Sequence, residues 1–169
     1  MTMVYLALGS NVGDSHAHIK EAIELLAGGV IEDIKRAPLY TSKAVGYTDQ
    51  PDFLNTAISG RTELQPLELL RAIKQIERRV GRIQRFRWGP REIDIDIIFY
   101  GDTLLDTPDL VIPHPRFAER GFVVQPLVDL EPTLADPQSG QTVAELLARL
   151  PPESLPSLTS DTDSTTITD

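Results

Sequence analysis

Asp94 and Asp96 stand at alternate positions in Arg87-Trp88-Gly89-Pro90-Arg91-Glu92-Ile93-Asp94-Ile95-Asp96-Ile97-Ile98. On a strand such a pair points to one face, with Cα atoms roughly 6.6 Å apart, while Ile93, Ile95 and Ile97 point to the other. Two carboxylates so placed can hold one or two hard cations. The chain has no cysteine and three histidines, so oxygen ligation favours magnesium. That ion takes one or two protein carboxylates and fills its octahedron with water and substrate phosphate. A half-exposed strand with an acidic outer face would also account for the pair without any ligand. Two features speak for chemistry: Asp is disfavoured in strands, and a strongly basic stretch comes immediately before.

Residues 71 to 91 hold eight bases and one acid, Glu77, a net of +7 in a chain whose total is −9. Arg71, Lys74, Arg78 and Arg79 fit a solvated helix face. Arg82, Arg85, Arg87 and Arg91 lie instead in a loop with Gly81, Gly89 and Pro90, where they can reach phosphate oxygens. Metal and guanidinium around one site are what a polyphosphate requires. His114, between Pro113 and Pro115, sits on a stiff mount suited to a ligand contact or to a purely structural role. Phe53, Asn55 and Phe122 read as core or edge residues, or as two aromatics that sandwich a flat heterocycle while an amide meets its edge. The turn Gly9-Ser10-Asn11-Val12-Gly13-Asp14 reads as mainly structural. Neither the P-loop nor the Rossmann glycine fingerprint occurs.

The elements that must position these residues follow from periodicity. Val4 to Leu8 reads as a strand, and a helix capped by Asp14 or Ser15 repeats Ile19, Ala22, Ile23 and Leu26 before Gly28-Gly29. His16 and His18 fall on its surface. Val30 to Tyr40 reads as a second strand, Thr41 to Pro51 as a loop and Asp52 to Arg61 as a third strand. Pro66 opens a helix with Leu69, Ile73, Ile76 and Val80 at helical spacing, and Ile93 to Tyr100 is the fourth strand. This order predicts an α+β fold, a ferredoxin-like βαββαβ antiparallel sheet with helices on one face. Beyond it lies a proline-punctuated C-terminal elaboration, with a short hairpin at Gly101-Asp102 and a last helix from Val143 to Leu150.

One domain is expected over residues 1–150. Residues 151–169 carry four acids, no bases or aromatics, and nine Ser or Thr, which predicts a disordered polar tail. The negative total argues against a general nucleic-acid coat. No stretch is long and apolar enough for a membrane span or export signal, and with no cysteine the expected compartment is the cytoplasm.

The run Trp88-Gly89-Pro90-Arg91-x-x-Asp94-Ile95-Asp96-Ile97-Ile98 resembles the signature of the 6-hydroxymethyl-7,8-dihydropterin pyrophosphokinase family of folate biosynthesis. Ala7-Leu8-Gly9-Ser10-Asn11, Gln50-Pro51-Asp52-Phe53-Leu54-Asn55, Ile76-Glu77, Gly81-Arg82, Pro113-His114-Pro115-Arg116 and Arg120-Gly121-Phe122-Val123 agree with it in order. The resemblance implies attack of the pterin hydroxymethyl oxygen on the β-phosphorus of ATP, giving AMP and the pterin diphosphate. It implies that Asp94 and Asp96 hold two magnesium ions. Arg82 and Arg91 would then be catalytic, and ATP would also meet Arg85 and His114. It further implies that Phe53 and Phe122 stack on the pterin, Asn55 reads its edge, and the loop carrying Ser42, Ala44 and Val45 contacts it through main-chain groups. The expected partners are these two small molecules, with no nucleic acid or membrane, and a monomer. An RNA-binding module of the same strand and helix order, or a two-metal nucleotidyltransferase, are the competing readings.

Overall fold

Strand β1 (Thr2–Ser10) is an interior strand of the main sheet, and both of its faces are apolar. In the computed structural model, which describes residues 1–83 and 85–159, Val4, Leu6 and Leu8 pack into one core with helices α1 (Ser15–Ala27) and α2 (Pro66–Val80). Tyr5 and Ala7, pointing the other way, join a second core with α3 (Gly121–Leu130) and α4 (Val143–Ala148). Burial on both faces is what a continuous apolar run produces, in place of strict alternation.

The remaining strands are β2 (Glu32–Arg36), β3 (Tyr40–Ser42), β4 (Phe53–Thr62), β5 (Asp94–Tyr100), β6 (Leu105–Asp106), β7 (Val111–Ile112) and β8 (Ser157–Leu158). The main sheet is antiparallel, in the order β5-β1-β4-β3-β8, and β2 also pairs with β4. β2 and β3 together form the second strand of the ferredoxin-like order. They separate around Pro38, whose missing N–H cannot serve a ladder. α1 starts where Asp14 accepts a hydrogen bond from the Ala17 amide at 3.1 Å. α2 starts at Pro66 and stops at Gly81, whose φ of +116° suits glycine.

Four sequence expectations are corrected. Helices cover both sheet faces, because the C-terminal elaboration supplies α3 and α4 as a second layer; α3 was hidden by Pro126 inside it. The chain turns at Gly101-Asp102, but β6 pairs with β7 and closes on Thr107 and Leu110. His16 and His18 are half-buried, packed at the start of α1. The first part of the predicted tail, residues 151–159, is not disordered. Residues 151–159 run back to the sheet, where β8 finds the free edge of β3; edge pairing is a main-chain interaction that composition does not reveal. The tail reading for residues 160–169 lies outside the described residues.

Candidate active site

The register of three strands builds the floor of the site. Gly9 of β1 pairs with Asn55 of β4 on one side and with Asp94 of β5 on the other, and Ala7 pairs likewise with Ala57 and Asp96. The Asn55 and Asp94 side chains therefore stand about 10 Å apart, two strand spacings, across a glycine. A Cβ on Gly9 would lie 3.2 Å from Asn55 Oδ1 and 3.6 Å from the Phe53 ring. The bare backbone there leaves open a cavity of about 250 Å³.

One end of this cavity is flat and apolar. Phe53, Phe122, Trp88 and Val45 line it together with Asn55 and Ser42. Asn55 is buried and donates to Ser42 Oγ at 2.7 Å and to its near neighbour, the Phe53 carbonyl, at 3.3 Å. The other end is charged, with Asp94, Asp96, Arg87, Arg91, His114 and Arg120. Asp94 accepts from Arg82 at 3.1 Å and from Arg91 at 2.8 Å, one guanidinium on each oxygen. Asp96 accepts no hydrogen bond from a described side chain. Burial, and next the charge of Asp94, raises its pKa above the usual carboxylate range. His114 is lowered to about 4, first by burial and then by the charge of Arg120, so its imidazole is neutral at pH 7. Its Nδ1 accepts from the Arg116 amide at 3.1 Å, which leaves Nε2 as the protonated nitrogen.

A second basin adjoins the charged end and is lined by Lys74, Glu77, Arg78, Arg82, Arg85 and Phe86, with Arg87 and Arg91 shared between the two. Glu77 is buried and anchors its rim. It accepts from Lys74 at 3.1 Å, from Arg82 at 2.9 Å and from the Ile95 amide at 2.9 Å. Arg85 forms a two-pronged pair with Glu92 at 2.7 Å per bond. Chiefly through these hydrogen bonds, Glu92 is lowered to about 2.

Of the twelve residues singled out in the sequence, Ser42, Val45, Phe53, Asn55, Arg91, Asp94, Asp96, His114 and Phe122 line the one cavity. Arg82 reaches it through Asp94. Arg85 faces the basin and is held by Glu92. Ala44 is buried and borders a separate groove.

A model of the 7,8-dihydro-6-hydroxymethylpterin-pyrophosphokinase family matches residues 5–132. The chain belongs to this family. The 2-amino-4-hydroxy-6-hydroxymethyldihydropteridine pyrophosphokinase of Aquifex aeolicus is 48% identical over 137 residues, 81% of this chain and 85% of that protein. The enzyme of the same name from Pseudomonas aeruginosa is 41% identical over 153 residues, covering 90% of this chain and 94% of that one. The mitochondrial folate synthesis bifunctional protein of Arabidopsis thaliana is 47% identical over 127 residues, and there this chain spans 23% of the relative's length. A solved HPPK-DHPS in complex with substrates shares the fold, with a TM-score of 0.67 at 14% identity over 87% of this chain and 43% of that one. Neither the RNA-binding reading nor the nucleotidyltransferase reading gains support from these likenesses.

Within this pyrophosphokinase, several residues at the site went unassigned in the sequence. Gly9 lies in a turn whose sequence suggests a structural role, yet its missing side chain opens the floor. Asn11 ties both loops: its amide nitrogen donates to Gln50 Oε1 and to the Pro51 carbonyl, each at 2.9 Å, while its Oδ1 accepts from the Arg91 amide at 2.9 Å. Trp88 lies under the Arg87 and Arg116 guanidiniums at 4.9 and 5.2 Å from its ring centre. It leaves no room for a Cβ on Gly46, which would come within 2.8 Å of the ring. Arg120 had a signal, since it directly precedes Gly121-Phe122 in a matching motif.

Proposed function

We propose that the cavity transfers the β,γ-diphosphate of ATP to the hydroxymethyl oxygen of 6-hydroxymethyl-7,8-dihydropterin, giving AMP and the pterin diphosphate for tetrahydrofolate biosynthesis. The observation that carries this reading is one cavity with a flat aromatic end and an end of paired carboxylates ringed by arginines. The pterin stacks between Phe53 and Phe122, with Asn55 at its polar edge and the main chain of Ser42 to Val45 beside it. Its hydroxymethyl group then points along the floor past Gly9 toward Asp94 and Asp96. The nucleotide lies across the second basin, with its phosphates on Arg82, Arg87 and Arg91. Arg85 can join them by exchanging Glu92 for phosphate, and neutral His114 donates from Nε2.

The carboxylate pair fits magnesium. Among the described residues no third Asp, Glu, His or Cys completes a protein cage, which suits an ion that keeps water and phosphate in its shell. Asp94 and Asp96 would hold two ions, and magnesium bound there would neutralise phosphate charge. Arg82 and Arg91, which now satisfy Asp94, can pass their hydrogen bonds to phosphate oxygens. Protein side chains form no covalent bond in this step: the pterin oxygen bonds to the β-phosphorus, its hydroxyl proton is released to solvent, and the bond from that phosphorus to the α,β-bridging oxygen breaks, that oxygen leaving with AMP. Positioning and charge stabilisation then account for the rate. No described helix is long and apolar enough to cross a membrane. The test is product analysis with ATP, magnesium and the pterin: AMP forms in step with pterin consumption, and ADP as the product would overturn the reading.

A further inference from the structure

We propose that residues 151–159 act as a strap that positions the pterin-binding loop, with Thr159 and β8 as positioning elements for pterin; this rests on the function proposed above. The strap lies beyond the last residue matched to the family, 132, and the cavity lining does not include it. It is nevertheless attached at two of the places from which the pterin end is built.

The first attachment is β3. This strand has three residues, and Ser42 at its end begins the loop to Val45. On one side β3 pairs with β4, Tyr40 with Asn55 and Ser42 with Phe53. On the other side β8 pairs Leu158 with Tyr40 and Ser157 with Thr41. The Thr159 amide donates to the Leu39 carbonyl at 2.9 Å, and the Thr159 and Thr41 hydroxyls share a bond of 2.9 Å. Without β8, β3 would be a three-residue edge, and short edges fray.

The second attachment is the start of α3. The Ser154 carbonyl oxygen lies 2.2 Å from where a Cβ on Gly121 would stand, so glycine alone lets the strap lie against the residue next to Phe122. Strap residues 153–155 and Ser157 share a groove with Ser42 to Val45 and Phe122.

The strap adds little to the core. Leu155 and Leu158 are 39% and 63% exposed, so its hold is made by main-chain pairing and by the fit at Gly121. Losing it should lower the fraction of molecules with a competent pterin loop and leave the phosphate end alone. Apparent affinity falls in proportion to that fraction.

The test compares the intact chain with one stopped after Leu150 and with full-length Thr159→Pro, which deletes the amide donated to Leu39. KM for pterin, KM for ATP and kcat are measured on each. The expected result is a pterin KM raised about tenfold in the truncated chain and about threefold in Thr159→Pro, with ATP KM and kcat within about twofold. A pterin KM within about twofold of the parent in both variants, or an ATP KM that rises in step with it, overturns the strap. Should the truncated chain not fold, Thr159→Pro decides alone. Intact protein that turns over while the variants match it sinks only the strap. Intact protein without pterin-dependent turnover sinks the proposed function and the strap together.

Discussion

Asp94 and Asp96 share a strand face but not an environment. Asp94 has a guanidinium on each oxygen, whereas Asp96 is without such a partner and burial disfavours its charge. A buried carboxylate kept at that cost is a candidate for the reaction more than for the fold. Asp96→Asn should therefore lower turnover by at least about a hundredfold while the far-UV circular dichroism is unchanged and the melting temperature is no lower than the parent's. Near-normal turnover at saturating magnesium would show that Asp96 has no such role. At this scale the sequence revealed residues with unusual type and spacing: two acids at alternate strand positions, an arginine-rich loop, a histidine between prolines. It did not reveal Gly9 or Asn11. A glycine that acts by its missing side chain, and an amide that bridges two loops, leave no pattern until the register places them.

Helix α3 closes the second face of the sheet and is tethered to it by two phenols. Tyr5 donates to Glu131 at 2.6 Å and Tyr40 donates to Asp129. Burial, then the bonded carboxylate, raises both phenols above their ordinary pKa. A folded-state pKa above the unfolded one contributes stability that is complete below about pH 10 and is lost as pH rises through the folded value. Thermal melts of the parent should fall steeply above about pH 10, and those of Tyr5→Phe/Tyr40→Phe less steeply, from a lower neutral value because the two phenol–carboxylate hydrogen bonds are lost. Equal alkaline slopes would contradict the tether. The elements with a clean period, α1, α2 and β5, were legible in the sequence. α3 was obscured by Pro126 and β8 by its polar composition, since both owe their form to surfaces made by distant parts of the chain.

Across the whole molecule, charge is separated. A chain of net −9 concentrates +7 between residues 71 and 91, and the fold sets six of those eight bases around the second basin and the charged end of the cavity. A nucleotide polyanion bound at this patch, as proposed, would be held by interactions that salt screens, with a Debye length near 10 Å at 0.1 M. Raising potassium chloride from about 50 to about 200 mM should increase KM for ATP severalfold and leave KM for the neutral pterin nearly constant; parallel changes in the two would place the pterin within the same charged wall. The strand and helix order and the charge asymmetry could be read before the structure. The coincidence of the basic loop, the acid pair and the aromatic end in one cavity could not, because it depends on β1 running between β4 and β5. The central claim is attack at the β-phosphorus. It is tested most directly with ATP carrying ¹⁸O in the α,β-bridge: the account predicts the label in the phosphate of AMP, and label in released diphosphate or retained in ADP would contradict it.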